Sequence, residues 1–478
     1  MAERALRLGP LVLLIATAWP VYVFDDSQAA YLIAVAASGA VAASLAWDRD
    51  QLIVFLLLAE VGLLGTEASG ALASGTPVLG TARMIDITTA VALATLASKR
   101  VMTAARQGAA LGLRVSVRHQ LARILCTRRQ FASKPSGLLL GVLAWMVALW
   151  LARGHPIDEF VKTDVRVIGL GLAMWFLARI CTEGPVANRA LAFCSLAPAI
   201  SVKALAIYAS RIWVIGTDDR LQASLAGSAN HPRVILVGGD TLLILMPAVI
   251  VLAALRNRSP HTRLWLVVCA LSALAGVLIS GSRTGLAAGL GLVAFIAVLK
   301  GFAPAPRPSF AVVVASLGLG ALIVLGAVIT GLASRFITPD APHVGINFRI
   351  DELHSFMRLS RTDLLLGQGF GGRFWSKGVN GFPQLTGWSH SFPIWIMLKA
   401  GIVGLAACCI ALLRGARPTL SKLGKIDWLK SDTALGIVLV VGVLLMSLTL
   451  GRAALPEGAM VLGLGIALMA TDSDCAGP

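Results

Sequence analysis

The chain has 478 residues, of which 57% are hydrophobic and only 14% charged, with a mean hydropathy of +0.81; ordinary soluble domains carry about 25% charge. A soluble domain of this length cannot hide so much apolar surface in one core, and the composition also excludes disorder and a coiled coil. The formal net charge of +17 fits basic loops beside a membrane rather than nucleic-acid binding, and the 48 glycines suit closely packed helices better than a β-barrel.

The expectation is an all-α, polytopic integral membrane protein whose first partner is the lipid bilayer. At about 20 apolar residues per crossing, spans fall near 8–24, 29–47, 52–72, 82–98, 137–152, 165–182, 190–208, 234–255, 264–280, 284–300, 310–332, 392–413, 433–451 and 457–471. That makes about 14 transmembrane helices, in a range of about 12–14. The first span follows Arg4 and Arg7 as a signal peptide would. No small-x-small cleavage site follows it, so it is read as retained.

With the N-terminus inside and one crossing per span, the basic clusters fall on one side. Residues 99–136 carry Lys99, Arg100, Arg106, Arg114, Arg118, Arg123, Arg128, Arg129 and Lys134 without one acidic residue. Arg256, Arg258 and Arg263, then Lys300 and Arg307, then Arg414, Arg417, Lys422, Lys425 and Lys430 join them, and both termini are cytoplasmic. The chain thus divides into N-terminal transmembrane helices (1–98), a basic cytoplasmic amphipathic segment (99–136) lying on the inner leaflet, central helices (137–332), a large outer loop (333–391) and C-terminal helices (392–478). The outer loop, before the third-last helix, is where a site is expected, because long structured loops between spans are usually functional. The seven cysteines form no C-x-x-C pair and suggest neither a disulfide framework nor zinc.

Four side chains stand out. Arg283, in Ser280-Gly281-Ser282-Arg283-Thr284-Gly285, joins two apolar spans with almost no loop. Such a cation either snorkels or holds an anion, since a guanidinium fork suits phosphate oxygens. Arg349, in Asn347-Phe348-Arg349-Ile350-Asp351-Glu352-Leu353, is a loop arginine that Asp351 or Glu352 can pair with. Arg211 is a similar outer-edge candidate. His390, in Gly387-Trp388-Ser389-His390-Ser391-Phe392, sits at a helix entrance; it is either structural or a general base. His343 and His354 share the loop, but their spacing matches no metal site. Leu366-Gly367-Gln368-Gly369-Phe370-Gly371-Gly372-Arg373 has the wrong order for a P-loop and reads as a tight turn.

Taken together these motifs resemble the O-antigen ligase and polymerase superfamily of bacterial envelopes. The ligase signature is His, then Asn, Ser or Gln, nine residues, Gly, two residues, and Gly, Thr or Tyr. His390-Ser391, Phe392 to Ala400 and Gly401-Ile402-Val403-Gly404 fit it. Arg349-Ile350-Asp351-Glu352-Leu353 fits the upstream Arg-x-x-x-Leu element, Ser282-Arg283-x-Gly285 resembles the other arginine site, and Leu366-Gly367-Gln368-Gly369 supplies the usual turn. These matches cover roughly residues 264–405. The resemblance implies a class C glycosyltransferase-like fold in the bacterial inner membrane, the active site beneath a periplasmic 333–391 loop, and no metal or cofactor. The donor would be an undecaprenyl diphosphate-linked glycan and the acceptor lipid A–core or another glycan.

In that scheme Arg283 and Arg349 hold the diphosphate and stabilise its growing charge, and His390 activates the acceptor hydroxyl. Arg211, Ser391 and Trp388 complete the expected substrate-binding set. A polymerase of O-antigen or exopolysaccharide is the alternative within the superfamily. A transporter of an anionic lipid or solute is the alternative outside it, though no repeat between the halves is evident.

Overall fold

Each long apolar run with good helix formers closes its own backbone hydrogen bonds, and most of the predicted spans become helices. The structure, a computed structural model, describes residues 40–43, 52–64, 77–79, 82–111, 135–156, 164–180, 186–212, 225–226, 233–234, 239–257, 259–280, 289–293, 296, 342–377, 383–387, 389, 391–420, 431–450 and 455–474. In chain order the helices are α1 (Ile53–Leu64), α2 (Met84–Leu111), α3 (Pro135–Arg153), α4 (Arg166–Ile180), α5 (Val186–Cys194), α6 (Leu196–Ile212), α7 (Gly239–Arg256), α8 (Pro260–Ser280), α9 (Pro342–Met357), α10 (Arg361–Leu366), α11 (Phe392–Leu420), α12 (Asp432–Leu450) and α13 (Pro456–Asp474). Three small antiparallel hairpins interrupt them: β1 (Pro77–Leu79) with β2 (Ala82–Arg83), β3 (Leu225–Ala226) with β4 (Arg233–Val234), and β5 (Phe374–Lys377) with β6 (Pro383–Thr386).

Ten of the fourteen expected spans coincide with these helices. Spans 8–24 and 310–332 lie outside the described residues, as do most of 29–47 and 284–300. Among the described residues, three helices are long and apolar enough to cross a membrane: Gly239–Arg256, Pro260–Ser280 and the Phe392–Arg414 part of α11. Shorter apolar helical stretches occupy Ile53–Gly62, Gly137–Arg153, Asp432–Ser447 and Pro456–Met469.

Two details refine the sequence reading. The expected span 190–208 is split at Ser195, whose N–H bonds the Leu191 and Ala192 carbonyls and whose hydroxyl accepts the Trp265 indole N–H at 3.0 Å. Helix α2 runs through position 98 without a break, so Lys99, Arg100 and Arg106 continue one helix rather than starting a new element. The segment 333–391, expected to be the outer loop, carries regular structure: α9, α10 and the β5–β6 hairpin.

Helix α13 packs on α4 and α12, the most extensive pairings among the described residues. Small residues allow it. A Cβ at Gly463 would overlap the Gly171 carbonyl oxygen, and one at Gly436 would stand 2.5 Å from the Gly465 carbonyl oxygen. Backbones crossing at this range maximise dispersion contact where lipid removes the water-driven term. Around this seam α7 contributes a fully buried face from Leu242 to Met246, which meets α8, α12 and α5.

Polar links sort the helix ends into two sets. Arg189 of α5 pairs with Asp432 at the start of α12, and Arg256, at the end of α7, donates to the Ser431 carbonyl. At the opposite end, set by the direction of α7 and α11, Arg166 of α4 pairs with Asp86 of α2 at 3.1 Å. There the α3–α4 connection meets the 361–373 segment, while β4 touches α6 and α8. Alternating crossings require these groupings.

Candidate functional site

At this second end, the sequence Leu366-Gly367-Gln368-Gly369-Phe370-Gly371-Gly372-Arg373 builds the site. Three glycines, at φ values of 84°, 81° and 72° for Gly367, Gly369 and Gly371, take the left-handed backbone that other residues avoid. They fold the chain into a turn flat enough to press on neighbouring backbones. A Cβ at Gly367 would lie 2.6 Å from the Ala400 nitrogen, and one at Gly369 would lie 2.5 Å from the Trp150 nitrogen.

The turn fits into a break in α11. Gly401 adopts φ 71° and ψ −177° inside that helix, and a Cβ there would overlap the Leu365 carbonyl oxygen. Beside the break, the Leu398 and Lys399 carbonyls accept the Gln368 and Gly369 N–H groups at 2.8 and 2.9 Å. This gives a physical reason for a glycine at position 401. Gly404 is required too, because a Cβ there would run into the Ala400 methyl.

Every backbone N–H from Gly367 to Arg373 is committed. Gly367 donates to Asp363 O at 2.9 Å, Phe370 to Met146 O at 3.3 Å and Gly372 to Gly369 O at 3.2 Å. Gly371 donates to Asp164 Oδ2 at 2.8 Å and Arg373 to Gln368 Oε1 at 2.9 Å. A phosphate cradle needs such groups available, so this turn is a structural clamp and not a phosphate-binding loop. Anion binding by this turn has to come from its side chains.

The clamp is tied on its far side as well. Phe370 is buried between Val142 and Met146 of α3 and Trp395, Ile396 and Ala400 of α11. Trp145 Nε1 donates to the Leu366 carbonyl at 2.9 Å. Arg153 pairs with Asp363, whose carboxylate also meets Gln368 Nε2 at 3.4 Å. His155 Nε2 lies 3.0 Å from the Gln368 carbonyl, so that nitrogen carries the proton and Nδ1 is the bare one in the neutral ring. Burial lowers the His155 pKa from its ordinary value; the Gln368 carbonyl opposes the shift, while Lys399, Arg153 and Arg373 add to it.

At the centre sits Lys399, 0% exposed, two residues before the Gly401 break. Its ammonium meets Asp164 Oδ2 at 2.9 Å and the Gly372 carbonyl at 3.0 Å. Asp164, also buried, receives both the ammonium and the Gly371 N–H on one oxygen.

The outer-loop helix α9 joins this clamp through one apolar cluster. Phe356 of α9 meets Phe374 of β5 edge-on, with centroids 6.0 Å apart, and both pack on Ile394 and Leu398 of α11. The element carrying Arg349 and the helix entrance that follows His390 therefore share a core.

Of the six expected site residues, Ser391 is the one whose side chain lies among the described residues. It is half-buried; its N–H donates to Ser389 Oγ at 3.0 Å and its carbonyl accepts the Trp395 N–H at 2.9 Å, opening α11. Arg349 lies on α9 and Arg211 on the last turn of α6, with side chains outside the described residues. Arg283, Trp388 and His390 also lie outside them. The chain is nevertheless described close to each: α8 ends at the buried Ser280, and Ser389 and Ser391 bracket position 390.

Sequence reasoning missed Lys399, Asp164, His155, Gln368 and the Arg153–Asp363 pair. Lys399 had a usable signal, since a lysine inside the apolar run 392–413 is costly without a partner. Asp164, just before the span 165–182, was its natural counterpart.

The fold and site define a mostly helical chain with helices able to cross a membrane and a charged clamp built at one end of them. No protein-family model, curated protein or solved structure matches the chain.

Proposed function

We propose that this chain is an O-antigen ligase-like glycosyltransferase of about 14 transmembrane helices that moves a glycan from undecaprenyl diphosphate to a sugar hydroxyl of lipid A–core. It works without a metal at the periplasmic face of the bacterial inner membrane, with both termini cytoplasmic. Arg283 and Arg349 hold the diphosphate, with Arg211 beside them, and stabilise the charge that grows as the glycosidic bond breaks. His390, flanked by Trp388 and Ser391, takes the proton of the attacking hydroxyl.

The observation that carries this reading is the seating of the Leu366-Gly367-Gln368-Gly369 turn in the Gly401 break. Two motifs quoted separately from the sequence, about 30 residues apart, meet in space and depend on each other's glycines. The sorting of helix ends lends further support. The connections that alternating crossings put outside, near 153–164 and 361–373, are in contact. Those they put inside, near 189, 256 and 431–432, are joined to one another.

Alanine at His390, Arg283 or Arg349 is expected to lower glycan transfer in membranes at least about 100-fold at equal expression. Wild-type transfer by all three variants would sink the assignment. Glycan pools in a deletion strain separate the branches. Long glycan stranded on undecaprenyl diphosphate, beside bare lipid A–core, indicates the ligase. Single-repeat acceptors, or loss of free exopolysaccharide, indicate the polymerase.

Besides the intramembrane arginines, the break in α11 favours a transporter, since broken helices often bind ions. Here the Leu398 and Lys399 carbonyls accept from the turn, an arrangement that suits a fixed wall better than an ion site.

A further inference from the structure

A buried ion pair is rarely kept for stability alone. Well-packed apolar residues of the same volume are often as stable or more so, whereas leaving one partner unpaired is costly. Lys399 and Asp164 are both 1% exposed by side chain and so are closed to substrate, yet they are ionisable groups buried where α11, the approach to α4 and the clamp turn meet. Their partners explain the arrangement. The ammonium holds the Gly372 carbonyl, and the carboxylate holds the Gly371 N–H. One pair thus grips two successive residues of the turn, one through its donor and the next through its acceptor.

The grip spans three segments. Lys399 belongs to α11, two residues before the Gly401 break; Asp164 precedes α4; Gly371 and Gly372 end the clamp turn. Its polarity is fixed, because a backbone N–H needs an acceptor and a carbonyl needs a donor. The same α11 segment begins at Phe392, just after Ser391, and packs on the α9 cluster. Tilting this segment about its glycine break displaces both elements that carry the expected chemistry.

We propose that Lys399 and Asp164 are positioning residues: the pair seats the Gly367–Arg373 turn in the α11 break and so fixes the helix entrance at position 390. The link to catalysis rests on the glycosyltransferase reading; the seating of the turn does not.

The test uses full-length protein in nanodiscs and native membranes, as wild type, K399M, D164N and the double variant K399M/D164N. The double removes both charges and keeps approximate shape, so it folds even if a lone buried charge does not. Hydrogen–deuterium exchange of peptides covering 366–373 is read against peptides from α13 as a control for the fold. Loss of charge-assisted hydrogen bonds is expected to speed exchange of the turn by about 10-fold or more in the double variant, with α13 unchanged. Glycan transfer is expected to fall about 10-fold or more in kcat, with KM for the lipid-linked donor within about twofold.

A turn as protected as wild type in a folded double variant overturns the proposal. So does a loosened turn with wild-type kcat, since the pair then positions nothing that matters to transfer. If wild type itself transfers no glycan, the functional reading fails and the exchange experiment alone decides the seating. Partial recovery of both protection and kcat by D164E, which restores the charge at a slightly different reach, supports a positional role.

Discussion

Two regions of this molecule bring backbones to nearly touching range, and they do so by different physics. In the α4–α13 seam, glycines sit within helices, and Gly171 and Gly463 merely let two cylinders approach. In the clamp, glycines adopt conformations no helix contains, and the carbonyls beside the Gly401 break bond another segment. The seam makes a surface, and the surface can slide or part by small amounts. The clamp makes a joint whose members satisfy one another's hydrogen bonds and cannot part without orphaning them. A transmembrane scaffold needs the first kind of contact; a site with placed side chains needs the second.

The sharpest way to break that distinction is a glycine series. Gly401→Ala forces a side chain into positive φ and into the Leu365 carbonyl, an expected cost upwards of about 3 kcal/mol, read as loss of folded, monodisperse protein. Gly463→Ala keeps helical geometry and only separates α4 from α13, at an expected cost of about 1–3 kcal/mol in a melting experiment. Gly141→Ala and Gly169→Ala, where nothing stands within 4 Å of the new methyl, are expected to be neutral or to stabilise by up to about 1 kcal/mol. If Gly463→Ala proves as disruptive as Gly401→Ala, the seam is as rigid as the clamp and the comparison fails.

The two regions also differed in how far the sequence exposed them. Helices were legible because periodicity and run length report burial directly, and α7, α8, α12 and α13 lie where apolar runs place them. The basic clusters give an expected sorting of helix ends, because desolvation makes charge placement a global constraint, and the links joining 189, 256 and 431–432 are compatible with it. The clamp was legible only as fragments. A Gly-rich string, a glycine nine residues past a helix entrance and a lone lysine in an apolar run each have ordinary explanations, and the joint that unites them is also tied by contacts between residues over 200 positions apart. Trp145 bonding Leu366 and Asp164 bonding Gly371 are such contacts. Residue order leaves no trace of them, although the cost of burying Lys399 unpaired demanded some acid nearby. The hairpin β5–β6 was hidden because its strands are four residues each, too short for an alternating pattern.

A milder probe of the joint is Trp145→Phe. The indole N–H is the donor to the Leu366 carbonyl at 2.9 Å, while the ring itself is partly exposed on α3. Phenylalanine keeps most of the apolar body and removes one hydrogen bond. A loss of about 0.5–1.5 kcal/mol is expected, with faster exchange confined to peptides near 366. Faster exchange in α13 as well would mean that clamp and seam unfold as one unit rather than two.

The smallest effect expected is a pH dependence. His155 contacts the Gln368 carbonyl through Nε2 and lies near Lys399, Arg153 and Arg373, with Asp363 and Asp164 behind those cations. Its pKa in the folded protein is lowered, mainly by burial, so the unfolded chain takes up a proton at a higher pH than the folded one. Stability from the neutral ring is therefore present above the ordinary value of 6.5 and is lost as pH falls from there through the lowered folded value. Melting temperature should drop between about pH 7.5 and about pH 5.5, and His155→Gln, which keeps a donor without titrating, should flatten that slope. Because the ring grips the turn and not the seam, exchange at 366–373 should rise with acid while α13 stays protected. An equal rise in both places would assign the sensitivity to carboxylates spread through the molecule, and the joint would lose its claim to a separate response.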